Sequence, residues 1–175
     1  MKKIIIALSI IFVAFSMKGQ TAEQRLEYAA TIGTGISMNE PAYTPLILQG
    51  LVYYLICERF WAGVGTGFSF YEMMLIPVFA DAKFAITRPR KFTPYVECGI
   101  GYAFAPNNKA NGGFYLNPSF GIQYALPNKM KLQFAAGYEL QKAERLKEHV
   151  NDYFSVGFVE ELSHNSLSVK VGVLF

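Results

Sequence analysis

The chain has 175 residues, one domain's worth, and 52% of them are hydrophobic and 15% aromatic. That apolar content is high for a soluble domain, yet no internal stretch approaches the roughly 18 unbroken apolar residues of a membrane-spanning helix, which disfavours a helical membrane protein. The 16 basic and 13 acidic residues become 13 of each once Lys2, Lys3 and Lys18 of the amino-terminal segment are set aside, so no net-charge case for nucleic acid survives.

Lys2 and Lys3 precede an apolar run from Ile4 to Phe15, followed by Ser16 and Gly19. A positive start, about a dozen apolar residues and a small-residue exit predict a secretory signal peptide over 1–19. Cleavage is expected after Gly19, with Ser16 as the alternative, leaving 20–175 as the mature domain. No cysteine lies near either site, so no lipoprotein anchor is expected.

From Glu27 onward apolar residues recur at every second position, and the pattern restarts after turn residues. Segment 28–38 sets Tyr28, Ala30, Ile32, Thr34 and Ile36 against Ala29, Thr31, Gly33, Gly35 and Ser37. Segment 46–56 is ambiguous because Leu51, Tyr53 and Leu55 make both faces apolar; Gln49 is placed inside, with a bulge allowed nearby. Segment 60–70 sets Phe60, Val64 and Phe68 against Trp61, Gly63, Gly65 and Gly67, and segment 76–86 sets Ile76, Val78 and Phe84 against Phe79, Asp81 and Lys83. Segments 92–104, 114–126, 130–140 and 165–175 repeat the separation. Eight segments of about eleven residues each suit tilted strands crossing a bilayer, and an even number closes without an edge. The predicted fold is an all-β, eight-stranded antiparallel up-and-down transmembrane barrel.

One face carries nearly all the bulky apolar residues. The other carries glycines with Asp81, Lys83, Glu97, Asn117, Gln123, Gln133, Glu139 and Lys170. An eight-stranded interior is too narrow for the bulky face, which must therefore meet lipid. Outward aromatics gather in two belts: Tyr28, Phe60, Phe84, Phe92, Tyr124 and Phe175 at one rim, and Phe68, Phe70, Tyr102, Phe104, Phe114 and Tyr138 near the other. Short connections at 57–59, 87–91 and 127–128 are expected in the periplasm, with both termini. Longer ones at 39–45, 105–113 and 141–164 are expected outside, with 71–75 breaking the trend. Two structures suit the last loop: a short helix from Lys142 to Glu148, or a hairpin prolonged by Tyr153 to Glu161. Cys57 is expected inward and Cys98 outward on strands that are not neighbours, so no disulfide is expected although the compartment is oxidising.

This layout resembles the small outer-membrane β-barrel proteins common in Bacteroidetes, related in architecture to the OmpA and OmpX barrels. The resemblance is carried by Gly63-Val64-Gly65-Thr66-Gly67, Pro77-Val78-Phe79-Ala80-Asp81, Pro94 to Tyr102 and the final strand ending in Phe175. It implies the outer membrane of a Gram-negative bacterium, contact with outer-membrane lipid, and reading of Phe175 as an assembly signal by the barrel-assembly machinery. A peptidoglycan-binding domain like the one following the OmpA barrel is not expected.

The glycine run at 63–67 lacks the Lys-Ser/Thr pair and following helix of a nucleotide loop and is read as strand packing. His164-Asn165-Ser166 is similar to the His-x-Ser spacing of the outer-membrane lipid A 3-O-deacylases, but both side chains have inward parity and no matching downstream Glu follows. No catalytic, cofactor or metal residues are therefore assigned. Asp81, Lys83, Glu97 and Lys170 are expected to form a charge-balanced polar network plugging the lumen, because buried charges persist when paired. The expected function is non-enzymatic: a structural role, or interaction with a surface partner through the outer loops. A small gated channel through the lumen is the alternative and a lipid A-modifying enzyme a distant third.

Overall fold

A computed structural model describes residues 25–38, 44–71, 74–106, 110–127, 130–151 and 154–175, and for 110 and 144–162 it describes the backbone alone. The expected signal peptide, with both cleavage sites, lies outside the described residues. Eight strands follow in chain order: β1 Leu26–Ser37, β2 Leu46–Cys57, β3 Phe60–Phe70, β4 Met74–Ala85, β5 Phe92–Phe104, β6 Ala110–Ala125, β7 Lys131–Asn151 and β8 Phe154–Leu174. Each pairs antiparallel with the next, and β8 returns to β1 to close the barrel.

The seam is regular. Ala29 opposes Leu174, Ile32 opposes Val171, and Ser37 opposes Ser166. Tyr28 and Phe175 extend it, each donating its N–H to the other's carbonyl at 2.8 and 2.9 Å. Closure matters because an unpaired amide in hydrocarbon is left without any partner.

Burial follows the two-residue period. In β8, Ser166, Ser168 and Lys170 are buried while Leu167, Val169 and Val171 are exposed. Ile32, Val64, Val78, Ile100, Phe120 and Phe134 are likewise exposed, each at half or more of its surface. A wall of exposed Ile, Val and Phe around a polar interior is the reverse of a soluble barrel and fits a lipid exterior. Both aromatic belts are present. At the rim holding the ends of β1 and β8, the terminal rim, Tyr28 stacks on Phe175 and Phe92 lies against Tyr124. At the opposite rim Tyr102 lies against Phe104, and Phe68 stacks on Phe70.

Three sequence expectations need correction. The β1–β2 ladder is unbroken around Gln49, and the β2 irregularity falls instead at Leu55/Cys57 beside the turn. That shift leaves Cys57 exposed, not inward; Cys98 is exposed on β5, which does not pair with β2. β6 starts at Ala110, so much of the 105–113 loop is strand, with a bulge between Gly112 and Tyr115. Of the two structures open to the 141–164 loop, the helix from Lys142 is absent and the prolonged hairpin is present: β7 and β8 pair continuously from Lys131↔Leu174 to Asn151↔Phe154. Once this hairpin counts as strand, connection lengths no longer distinguish the two ends. The asymmetry lies in the hairpin itself, which defines the second, hairpin rim.

Ile32 and Val171 face each other across the closing seam and point outward. Replacing either by Arg is expected to cost about 2–4 kcal/mol near the midplane, read as a lowered unfolding midpoint in phospholipid vesicles. A neutral effect at both positions would contradict a lipid-facing wall.

Candidate functional site

The inward positions of all eight strands converge on a filled lumen in which polar groups form two tiers. In the tier toward the terminal rim, Lys83 of β4 is 1% exposed. Its Nζ donates to Gln133 Oε1 at 2.9 Å and lies 3.8 Å from Glu97 Oε2 of β5. It also sits over the Tyr95 ring at 4.1 Å, so an aromatic face adds to its neutralisation. Ser119 donates to Glu97 at 2.9 Å, and Tyr53 donates its hydroxyl to Asp81 at 2.9 Å.

In the tier toward the hairpin rim, Lys170 of β8 donates to Asn117 Oδ1 at 2.7 Å and to Gln49 Oε1 at 3.3 Å. Asn117 in turn donates through Nδ2 to Glu139 at 2.8 Å. One amide thus stands between cation and carboxylate, its dipole aligned to satisfy both. Glu139, fully buried, also accepts from Gln141 at 2.6 Å and from the Tyr71 hydroxyl at 3.2 Å. Three neutral donors are what a carboxylate needs when water is excluded.

Asp81 and Lys83 are therefore brought together with Glu97, while Lys170 belongs to the second tier. Glu139 was legible as an inward position but not as a member of the charged set. With it, the described lumen holds three carboxylates, Asp81, Glu97 and Glu139, against two ammonium groups, Lys83 and Lys170. The two-against-two balance expected from sequence does not hold.

Trp61 and Phe79 keep the inward parity read from sequence, and Tyr53, Tyr95 and Tyr115 share it, all buried. They fit because glycines face them. A Cβ at Gly65 would lie 2.5 Å from Phe79 Cζ, and one at Gly121 would lie 2.5 Å from Tyr95 Cζ. The glycine run of β3 is thus packing space; parity gave the direction of the aromatics, and their pairing with particular glycines came only with the fold. At the terminal mouth a cavity of about 220 Å³ is lined by Trp61, Arg90, Thr93, Gln123 and Lys131. There Lys131 pairs with Glu27 at 2.6 Å.

His164 and Ser166 keep their inward parity. The His164 ring stacks on Tyr71 at 4.6 Å, and Ser166, fully buried beneath the Tyr71 hydroxyl at 3.5 Å, is a cross-strand neighbour of Glu139. A serine sealed inside the wall has no approach to a lipid ester outside it. His149 lies where the backbone alone is described. Among the described residues, no three His, Cys, Asp or Glu side chains converge as metal ligands.

No family model matches the chain, and no curated protein matches it. Solved structures do. The amino-terminal β-barrel domain of Pseudomonas aeruginosa OprF aligns over 86% of this chain and 96% of its own, with 15% identity and a TM-score of 0.53. Neisserial surface protein A aligns over 85% and 96%, with 16% identity and a TM-score of 0.55. The outer membrane enzyme PagL aligns over 82% and 97%, with 11% identity and a TM-score of 0.50. The fold is that of an outer-membrane β-barrel. At these identities the likeness carries architecture and no activity, and one of the three structures is of an enzyme. For this outer-membrane barrel, the exposed apolar wall and the closed ladder give the same localisation independently.

Removing the Lys83 ammonium leaves Glu97 buried without its cation. Lys83→Met is expected to cost about 3–5 kcal/mol, and K83M/E97Q should recover most of that in a double-mutant cycle of unfolding free energies. A neutral K83M would show the lumen hydrated enough to solvate Glu97 unaided.

Proposed function

We propose that this protein is a non-enzymatic outer-membrane barrel that acts at the cell surface through its β7–β8 hairpin. The observation carrying this reading is that the hairpin outlasts its neighbours. β6 makes its last pair with β7 at Arg145, and β1 makes its last strand pair with β8 at Ser166, but β7 and β8 stay paired to Asn151 and Phe154. Six further residues of β7 extend about 20 Å at roughly 3.4 Å per residue. Among the described residues no strand pairs with β8 on its β1 side from Phe154 to Val159, and an open edge can accept a partner's strand. In such barrels the longer extensions stand on the extracellular side, which supports reading the prolonged hairpin as outside. Membership of the Bacteroidetes-type group, and delivery by the 1–19 signal, are part of the same reading and rest on the sequence motifs alone.

A small channel is the second reading, and the charged lumen is the observation favouring it. The interlocked tiers support a plug instead. The purified protein is expected to give no stable porin-sized steps in planar bilayers.

The two readings separate genetically. Replacing 146–161 by a two-residue turn should reproduce whatever envelope or adhesion defect follows loss of the whole protein, while K83M/E97Q should not. The opposite pattern would move function to the lumen. Folded protein in each strain is verified by heat-dependent migration on gels.

Phe175 is proposed as the residue the assembly machinery reads, on top of its anchoring contact with Tyr28. Phe175→Asp should lower folded barrel in cells more than it lowers refolding in detergent. Equal losses would leave the anchor alone.

A further inference from the structure

We infer that the outer wall carries a seat for one anionic phospholipid, with its acyl chain on β4–β7 and its phosphate on the β4–β5 turn. Many outward positions are bulky, though Ala30, Gly50 and Thr66 make a small-residue run across β1–β3. Across β4, β5, β6 and β7 the outward positions shrink to Ala82, Cys98, Pro118 and Ala136, and a groove of about 510 Å³ opens there between Phe60, Phe84 and Phe120, with the hydrogen-bonded pair Ser119 and Glu97 also in its lining. The small residues lie side by side because the registers align them: Ala82 opposes Cys98, and Cys98 opposes Pro118. Pro118 has no N–H to give, and the β6–β7 ladder skips Asn117 and Pro118 before resuming at Ser119↔Gly137. The volume lies within the range of small-ligand clefts, about 300–1,000 Å³. Since this wall faces hydrocarbon, the groove would be filled by an apolar chain.

Toward the terminal rim the same strands lead to a cluster of cations. β4 and β5 run down from Ala82 and Cys98 to the turn holding Arg88, Arg90 and Lys91, all exposed. Arg59 joins them, because Ala85 donates its N–H to the Arg59 carbonyl at 2.8 Å. Among the described residues none of these four cations forms an ion pair, and Glu58 is the one acid on the two turns. The turn is held in place. Thr93 Oγ1 accepts from the Arg90 N–H and donates to the Arg90 carbonyl, both at 2.9 Å, and Ile86 donates to the Pro94 carbonyl at 2.9 Å. Its depth is set by Lys91, whose ammonium lies 5.6 Å from the Tyr124 ring centroid in the terminal-rim aromatic belt. Belt aromatics sit at headgroup level, so the cations do as well. A groove for one chain whose strands β4 and β5 lead on, at phosphate depth, to cations without an ion pair is complementary to a lipid that is apolar along its length and anionic at its head. A second copy of this barrel would bring the same basic turn and meet like charge.

This inference rests on the membrane reading and not on the hairpin's role, and the experiment keeps them apart because folding is scored separately by heat-dependent gel migration. Mature protein folded in detergent is titrated, under native mass spectrometry, with phosphatidylglycerol or phosphatidylcholine of identical acyl chains, and with glycerol 3-phosphate alone. One phosphatidylglycerol should be retained at least about ten-fold more tightly than phosphatidylcholine. R88A/R90A/K91A should bring phosphatidylglycerol down to the phosphatidylcholine level, and A82F, or C98F as an independent filler, should weaken both lipids. Equal retention of the two lipids by the wild type, or an unaffected triple variant, would overturn the headgroup assignment. Unaffected binding in folded A82F and C98F would overturn the groove. Glycerol 3-phosphate binding as tightly as the lipid would reduce the site to a free-anion site, and a dimer that displaces lipid would assign the groove to a second copy.

Discussion

The structure depends on one constraint: in hydrocarbon, every strand amide must find its partner within the protein. The β1–β8 seam meets it, since the barrel's first and last strands would otherwise present two open edges. Closure with eight strands then fixes a narrow interior, and the narrow interior dictates composition on both faces. Bulky apolar side chains go outward because the lumen cannot hold them all, and the lumen takes glycine, polar residues and a few aromatics placed opposite glycines.

The interior is consequently a solid core made largely of polar contacts. Phe79 fits over Gly65 and Tyr95 over Gly121, while charged groups are linked by amides more often than directly. Lys170 reaches Glu139 through Asn117, and Lys83 shares itself among Gln133, Glu97 and the Tyr95 face. Such links give each charge partners without water, and they occupy the space a conducting path would need.

Much of this was legible in sequence because a barrel strand reports its two faces with a period of two. The inward parity of Asp81, Lys83, Glu97 and Lys170 and the outward parity of Ile32 and Val171 follow from alternation alone. Alternation fails where both faces are apolar, as in β2, and where a bulge resets the count, as between Leu55 and Cys57. It also says nothing about height or distance across the lumen. Tyr53 reaching Asp81, and Glu139 joining the set that holds Lys170, depend on stagger between strands far apart in sequence. The prolonged hairpin stayed one of two alternatives because Lys142 to Glu148 has helix-compatible composition, and only its pairing with 157–163 makes it strand.

The central claim is that the bulky face meets lipid and the polar face fills the barrel. Its most direct test is a nitroxide scan of β8 from Ser166 to Val173 in a Cys57→Ser, Cys98→Ser background folded into phospholipid vesicles. Collision rates with oxygen, which concentrates in hydrocarbon, should peak at positions 167, 169, 171 and 173 and fall at 166, 168, 170 and 172. Maxima at the even positions, or rates without alternation, would contradict the account.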